Sequence, residues 1–331
     1  MKIGNLDLGE RPLLLAPMED VTDVSFRVLC REQGADMVYT EFVNSDGLVR
    51  DVPKTIAKMH TLEEEAPVGI QIYGQHPDAM VEAARMADRA AELAGGHGAD
   101  LVDINFGCPV SKIAGRGAGS GMMREPDKMV AITKAVVEAV GKPVTVKTRL
   151  GWDDSSKIIV ELAERLQDVG IAALTIHGRT RCQLYKGAAD WTLIGAVKAN
   201  PRMHIPIIGN GDITDGPSAR AAFERYGVDA VMIGRATFGH PWIFREIKYY
   251  LERGEPMPDL TVSEKVALAR RHLALSLQYK GEPRGIYEMR RHLSCYFKGL
   301  PDFKETRMRM VTTLDVAELQ DILDSIEKRY D

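Results

Sequence analysis

The chain has 331 residues, of which 45% are hydrophobic and 27% charged, an ordinary composition for a folded globular protein. Its net charge of −4 argues against a uniformly basic nucleic-acid-binding protein. Four scattered cysteines without a Cys-x-x-Cys pair argue against a disulfide framework or a zinc site. The longest early apolar run, residues 13–16, is too short for a signal sequence or a membrane span, so we expect a cytoplasmic protein with no membrane partner.

Short apolar segments rich in Val, Ile and Leu alternate with longer amphipathic segments through most of the chain. The predicted strands are residues 13–16, 37–40, 68–72, 101–105, 144–149, 173–177, 205–209 and 230–233. The predicted helices between them are residues 25–33, 77–94, 127–140, 158–168, 191–199 and 216–225. Strands without polar alternation are buried on both faces, as in a parallel sheet covered by helices. Eight such strands in about 220 residues favour an α/β fold of the (β/α)8 TIM-barrel type over an open doubly wound sheet.

Polar or conformationally special residues follow the predicted strands at their carboxyl ends. They are Pro17, Glu41, Gln71, Asn105, Lys147, Arg149, His177, Asn210, Asp212, Gly234 and Arg235. The active site of a barrel is built from the carboxyl ends of its strands. We therefore expect these groups to converge on one mouth.

The pattern changes after about residue 244. Pro256 and Pro258 interrupt it, and the predicted helices 263–279, 287–298 and 316–330 follow. This predicts a barrel domain over residues 1–244 and a small all-α domain over residues 245–331. Residues 265–309 contain eleven Lys or Arg against four Asp or Glu, a net charge of +7 that leaves −11 on the rest of the chain. Such a segment suggests a local polyanion contact, although a solvated helical surface explains it equally well.

The segment 102–109, Val-Asp-Ile-Asn-Phe-Gly-Cys-Pro, places a cysteine just past the end of a strand. Gly107 permits an unusual backbone angle and Pro109 stops the strand, so Cys108 is predicted on a tight turn at the mouth. A free thiol has a pKa of about 8.5 and is mostly protonated at neutral pH. It can act as a general acid, or as a nucleophile if a base lowers its pKa. The absence of a nearby His in the sequence favours the acid role.

Lys147 and Arg149 are two residues apart on the next strand, so both point to the same side. A lysine directed into a barrel mouth is costly unless it meets an anion or an electron-rich ring. A salt bridge to a nearby carboxylate is the alternative explanation.

Two glycine-containing turns, residues 207–212 and 232–235, follow the seventh and eighth predicted strands. These loops form the usual phosphate site of such barrels, and Arg235 adds a charge-assisted contact. A ligand with a phosphate here and a ring reaching Lys147 matches flavin mononucleotide (FMN).

The glycine-rich segment 115–121 matches neither standard phosphate-loop pattern, and we expect a flexible loop over the mouth rather than a plain linker.

In these motifs the chain resembles the tRNA-dihydrouridine synthases, flavoenzymes that reduce uridines in transfer RNA. The resemblance extends over nearly its whole length. The matching segments are residues 16–18, 21–23, 26–27, 71, 103–109, 147–151, 176–181, 210–212, 233–235 and 241–242. The continuation through residues 290–296 is most similar to the bacterial B-type branch.

The resemblance implies bound FMN, NADPH or NADH as reductant, and tRNA as substrate. We expect no metal, and nothing in the sequence requires more than a monomer. Implied FMN-binding residues are Pro17, Met18, Glu19, Gln71, Lys147, His177, Asn210, Gly211, Asp212, Gly234 and Arg235. Hydride would pass from flavin N5 to C6 of uracil, and Cys108 would protonate C5. Implied substrate contacts are Asn105, Arg149 and Arg179, while Arg270, Arg271, Arg290 and Arg291 would hold the RNA backbone.

Two alternatives belong to other functional classes. The first is another FMN barrel that reduces a small molecule, similar to dihydroorotate dehydrogenase, which has no need of the basic helical segment. The second is a non-catalytic RNA-binding protein, against which the intact Cys108 and Lys147 argue.

Overall fold

The computed structural model describes residues 1–331 and contains an eight-stranded parallel barrel. Its strands are β1 (Leu13–Leu15), β2 (Val38–Tyr39), β3 (Val68–Tyr73), β4 (Leu101–Phe106), β5 (Val144–Arg149), β6 (Ala173–His177), β7 (Ile207–Asn210) and β8 (Ala230–Ile233). They pair in the order β1-β8-β7-β6-β5-β4-β3-β2. A parallel bridge between Leu14 and Met37 then brings β2 back beside β1. The predicted (β/α)8 barrel is confirmed.

Helices cover the outside of the barrel, and at least one follows each strand. They are Val24–Glu32, Ser45–Val49, Pro53–Ala57, Pro77–Asp88, Ala90–Ala94, Ser111–Ala114, Pro126–Ala139, Ile159–Asp168, Thr192–Ala199, Gly216–Tyr226 and Ile243–Arg253, with short 3₁₀ helices at Glu63–Glu65, Gly119–Arg124 and Arg235–Thr237. Two short β features were not predicted: a hairpin, Lys2–Ile3 with Leu6–Asp7, and a strand, Val43–Asn44, beside β3. The helices Ser45–Val49, Pro53–Ala57, Ser111–Ala114 and Ile243–Arg253 were not predicted either. The hairpin packs Ile3 into an apolar cluster with Leu14 and Ala230 at the amino-terminal end of the barrel.

Four helices form the C-terminal region: Val262–Lys280, Arg284–Tyr296, Lys304–Thr312 and Val316–Tyr330. They share an apolar core of their own, separate from that of the barrel. The helix Ile243–Arg253 crosses the predicted boundary at residue 244, and its residues Ile243, Phe244 and Ile247 pack into the barrel core. The barrel core therefore extends to Ile247, and the helical core takes up Leu260 and, from before this helix, Trp242. No helix is both long and apolar enough to cross a membrane.

The C-terminal region is fixed to the barrel beside β1 and β8. Asp23 caps the helix Val24–Glu32 and forms a partly buried ion pair with Lys280 of the C-terminal region. Burial alone would raise the pKa of Asp23, but the ammonium group of Lys280 holds it well below its usual range. The ring of His292 packs on Phe26 at 4.2 Å and accepts a hydrogen bond from Gly239 N–H after β8. These contacts set the position of the helical region at one side of the barrel mouth.

Candidate active site

A cavity of about 630 Å³ opens at the carboxyl ends of the barrel strands. This volume lies in the range of sites for cofactors and other small molecules. Thirteen of the predicted site residues line it: Pro17, Met18, Glu19, Asn105, Cys108, Lys147, Arg149, His177, Asn210, Gly211, Asp212, Gly234 and Arg235. Two predicted site residues, Gln71 and Arg179, do not.

Cys108 lies on the turn after β4 and is 9% exposed. The amide oxygen of Asn105 accepts hydrogen bonds from the backbone N–H groups of Gly107 and Cys108, each at 2.9 Å. Ser120 holds the other side of the turn, donating from its hydroxyl to the Cys108 carbonyl at 2.8 Å. Burial raises the pKa of the Cys108 thiol, against the lowering effect of a backbone N–H and of Arg149. The thiol is therefore protonated at neutral pH and is a source of one proton.

The segment 115–121 is not the flexible loop expected from its glycine content. It leads into the buried 3₁₀ helix Gly119–Arg124, which packs directly behind the cysteine turn. Gly119 has a φ of +53°, and a Cβ atom there would lie 3.0 Å from the Cys108 carbonyl oxygen. Glycine at this position provides close packing, so the segment supports the turn instead of covering the mouth.

Gln71 lies behind the cavity wall in a chain of buried polar side chains. Asn105 donates to the Gln71 oxygen at 2.8 Å, and the Gln71 nitrogen donates to Asp103 at 2.6 Å. Thr145 donates to the other Asp103 oxygen at 2.5 Å, and burial raises the pKa of Asp103 to about 6. Gln71 is fully buried and bound on both sides, and it positions Asn105; its contact with a bound ring stays a prediction.

Lys147 is a half-buried cation without a carboxylate partner. Its ammonium group donates to the side-chain oxygen of Asn210 at 3.3 Å, and no carboxylate lies within ion-pairing distance. The Asn210 amide is itself fixed by donating to the Met232 carbonyl at 2.8 Å. Burial, with a contribution from Arg149, lowers the pKa of Lys147 to about 8. The salt-bridge alternative is thus not realised, and a ligand is left to compensate the half-buried charge.

Arg149 mainly braces the cavity wall. Its Nε donates to the Gly107 carbonyl at 2.7 Å, and its Nη1 donates to the carbonyls of Thr180 and Leu184, each at 3.0 Å. Burial lowers the pKa of Arg149 to about 10, so the guanidinium remains charged at neutral pH. For the predicted contact between Arg149 and the substrate, only the N–H donors of Nη2 remain available.

Arg179, the other predicted arginine contact, is directed away from the cavity. Its Nη2 donates to Asp212 and to the Gly187 carbonyl, each at 2.6 Å. Its Nη1 lies 3.3 Å from His177 Nε2. Burial and the neighbouring cations lower the pKa of His177 well below its usual range, so this ring is neutral. Arg179 therefore supports the loop after β7, and its role as a substrate contact stays a prediction.

The loops after β7 and β8 present unpaired backbone N–H groups to the cavity. Those of Gly211, Asp212, Ile213 and Gly234 form no backbone hydrogen bond. Arg235 lies beside them, half-exposed and 3.0 Å from Asp212. Gly211 has a φ of +126°, and a Cβ atom there would lie 2.7 Å from the Ala189 Cβ. Free N–H groups and a guanidinium are the donors that bind a phosphate in barrels of this type.

Three aromatic side chains of the cavity lining were not predicted from the sequence: Phe42, Tyr185 and Phe238. Arg291 of the helix Arg284–Tyr296 also lines the cavity, with its guanidinium 5.9 Å from the centre of the Phe238 ring. All three aromatics lie in loops, where periodicity gives no signal. The helical region therefore contributes directly to the wall of the site.

Glu19 lines the mouth and pairs with Lys58 at 2.5 Å. The carboxylates of Asp20 and Glu41 lie close to it. Burial raises the pKa of Glu41, although Lys58 opposes this effect. This rim of the mouth is consequently acidic, in contrast to the interior around Lys147.

Much of the positive charge of residues 265–309 is neutralised within the fold. The ion pairs join Arg270 to Asp324, Arg271 to Glu32, Lys280 to Asp23, Arg284 to Glu288 and Arg309 to Glu318. Arg270 and Arg271, which were expected to hold RNA, are thus occupied in the protein. Arg290 stacks on Tyr287 at 4.9 Å and donates to the Thr312 carbonyl, while Arg291 faces the cavity.

A family model described as dihydrouridine synthase matches residues 14–329. The chain belongs to this family. The tRNA-dihydrouridine synthase B of Vibrio cholerae is 40% identical over 331 residues, which cover 100% of this chain and 99% of that protein. A probable tRNA-dihydrouridine synthase 1 of Synechocystis sp. is 42% identical over 327 residues, covering 98% and 88%. The family predicted from the sequence is confirmed.

Solved structures at low identity share the barrel fold. Morphinone reductase superposes with a TM-score of 0.54 at 14% identity, covering 78% of this chain and 91% of that one. A 2-naphthoyl-CoA reductase superposes with a TM-score of 0.55 at 13% identity, covering 75% and 51%. The protein is therefore an enzyme of an oxidoreductase family on a barrel that other reductases also use.

Proposed function

We propose that this protein reduces uridine to 5,6-dihydrouridine in tRNA, with FMN bound in the barrel cavity and NADPH or NADH as reductant. The observation that carries the proposal is the pairing, in one cavity, of a protonated cysteine with a half-buried lysine that lacks a carboxylate partner. The family and its named relatives support the same reaction.

The residues of the cavity fit FMN. The unpaired N–H groups of the loops after β7 and β8, with Arg235, would hold its phosphate. Lys147 would compensate the electron-rich pyrimidine end of the ring, which answers the cost of burying this ammonium group. Pro17, Met18 and the neutral His177 line the remaining wall. When bound and reduced by NADPH, FMN supplies the hydride that C6 of uracil accepts.

Cys108 supplies the other half of the reduction. Hydride addition at C6 leaves C5 in need of a proton, and the Cys108 Sγ–H group donates it. Arg149 and Lys147 then stabilise the resulting thiolate, because both cations favour the charged form of Cys108. Gly107 and Asn105 hold the turn in place during this step.

The substrate base has to leave its stack in the RNA to enter the cavity. Arg291 is the residue of the helical region that reaches the cavity, and Arg290 lies beside it on the same helix. We assign both to the RNA backbone near the target nucleotide. The cavity is complete within one chain, which is consistent with a monomer acting on tRNA in the cytoplasm.

The proposal is tested by incubating the purified protein with NADPH and with tRNA from a strain that lacks this gene. The nucleosides of the tRNA are then analysed by mass spectrometry. We expect a yellow protein with noncovalent FMN and accumulation of dihydrouridine at a defined position. A protein that is colourless and cannot be reconstituted with FMN would refute the cofactor assignment. Equal reduction of free uridine and tRNA would favour a small-molecule reductase.

A further inference from the structure

A second cationic surface lies on the barrel itself, outside the basic segment of the helical region. Its centre is Trp152, with the guanidinium carbon of Arg124 4.1 Å from the ring centre and that of Arg181 at 4.6 Å. Arg181 also approaches Ser111 at 3.4 Å, next to the exposed Lys112. We call these residues, Lys112, Arg124, Trp152 and Arg181, the Trp152 patch.

The charge of the Trp152 patch is not neutralised by the protein. Neither Arg124 nor Arg181 forms an ion pair, and Arg181 Nε is buried without a hydrogen-bond partner. The neighbouring carboxylates are engaged elsewhere: Glu125 with Lys128, Asp154 with Lys157, and Asp153 with Ser155 and Ser156. This distinguishes the patch from the basic segment of the helical region, where most arginines are paired.

Stacking on an aromatic ring preserves the binding capacity of an arginine. An arginine paired with a carboxylate has used its N–H donors, whereas stacking uses the face of the guanidinium and leaves the donors at its edge. Trp152 is partly buried against the barrel core, so the platform is fixed by packing. The patch is thus a rigid pair of phosphate-binding groups.

The position of the patch relates it to the mouth. Arg124 follows β4, Trp152 follows β5 and Arg181 follows β6, whereas the helical region is attached beside β1 and β8. In the strand order of this barrel, β4 and β5 lie across from β8 and β1. Val110, two residues before Lys112, lines the cavity. The two cationic surfaces therefore flank the cavity from opposite sides.

We propose that Arg124 and Arg181, held on Trp152, bind phosphates of the RNA substrate on the side of the mouth opposite the helical region. This inference rests on the proposed function. A polyanion that spans the mouth contacts both cationic surfaces at once. Phosphate contacts on both sides of the mouth hold the target nucleotide over the cavity. The phosphates of NADPH are the competing occupant, and the experiment separates the two.

The test compares R124Q/R181Q with the matched double variant R85Q/R202Q. Arg85 pairs with Glu82 and Arg202 with Glu164, both on the outer surface of the barrel, so the control removes the same charge elsewhere. Binding of tRNA is measured from about 50 to 300 mM salt. Each lost phosphate contact lowers the salt slope by about 0.7–0.9, so R124Q/R181Q is expected to lower it by about 1.4–1.8. The same relation predicts about 10- to 30-fold weaker binding near 0.15 M salt.

The single variant R124Q provides a second measurement, with about half of that change in slope. Binding by R124Q/R181Q equal to that of R85Q/R202Q would overturn the proposal. A raised KM for NADPH with unchanged tRNA binding would also overturn it and assign the patch to the dinucleotide. A wild-type protein that binds tRNA but forms no dihydrouridine would refute the proposed function instead, so the two failures are distinguishable.

Discussion

Replacing Arg149 by methionine tests whether this residue is chiefly a brace or a substrate contact. Arg149 is 2% exposed, and its guanidinium donates to three main-chain carbonyls at 2.7, 3.0 and 3.0 Å. A hydrogen bond from a charged donor contributes about 1.5–3 kcal/mol, and its loss leaves a buried carbonyl without a partner. Because such losses are not additive, we expect the free energy of unfolding to fall by about 3–5 kcal/mol.

Thermal unfolding of the flavin-free protein measures this change without interference from catalysis. For a domain of this size about 1 kcal/mol corresponds to about 2–4 °C, so R149M is expected to melt about 6–20 °C below the wild type. R165M is the control, since Arg165 forms an exposed pair with Asp127 whose loss should cost no more than about 1 kcal/mol. An R149M protein with the melting temperature of the wild type, differing only in a raised KM for tRNA, would refute the structural role assigned to Arg149.

Three further predictions follow from particular residues. Lys147 loses its charge as the pH rises through about 8, so FMN affinity measured by fluorescence titration should fall above that pH, and K147M should bind FMN weakly with this dependence gone. Burial lowers the pKa of His292 to about 4, whereas the pKa of a histidine in the unfolded chain is about 6.5. Between these two values the unfolded chain binds a proton that the folded chain does not, so the free energy of unfolding should decline as the pH falls from 6.5 towards 4. The decline should be less steep in H292N. G119A should lower the free energy of unfolding by about 1–2 kcal/mol in urea denaturation, because of its positive φ and its contact with the cysteine turn, whereas G141A, which has open space, should not. A urea denaturation curve unchanged in G119A, a free energy of unfolding of the wild type that is constant from pH 6.5 to 4, or FMN binding independent of pH would each contradict the corresponding account.

The barrel and most of its cavity could be predicted because their signals are local. Buried strands lack polar alternation, and the residue after each strand faces the mouth whatever the rest of the chain does. Cys108 and Lys147 were found in this way. The helix Lys304–Thr312 was missed because Met310 is its one buried residue, so it has no apolar stripe to detect.

The partners of the site residues could not be predicted, because a sequence gives the face on which a side chain lies but not the atom it contacts. Gln71 and Arg179 both follow the family pattern, yet one positions Asn105 and the other holds Asp212. The segment 115–121 was misjudged for a related reason. Glycine permits mobility and close packing alike, and only the approach of Gly119 to the cysteine turn decides between them.

Single-turnover kinetics of a Cys108→Ala variant test the central claim most directly. The enzyme is reduced with NADPH, mixed with tRNA that lacks dihydrouridine, and followed by flavin absorbance and by nucleoside mass spectrometry. In the wild type, the buried and protonated thiol of Cys108 is the proton donor at C5. The C108A variant lacks this donor, so its flavin should be reduced by NADPH at the wild-type rate while dihydrouridine forms about 10²- to 10⁴-fold more slowly. Formation of dihydrouridine by C108A at the wild-type rate would contradict the account.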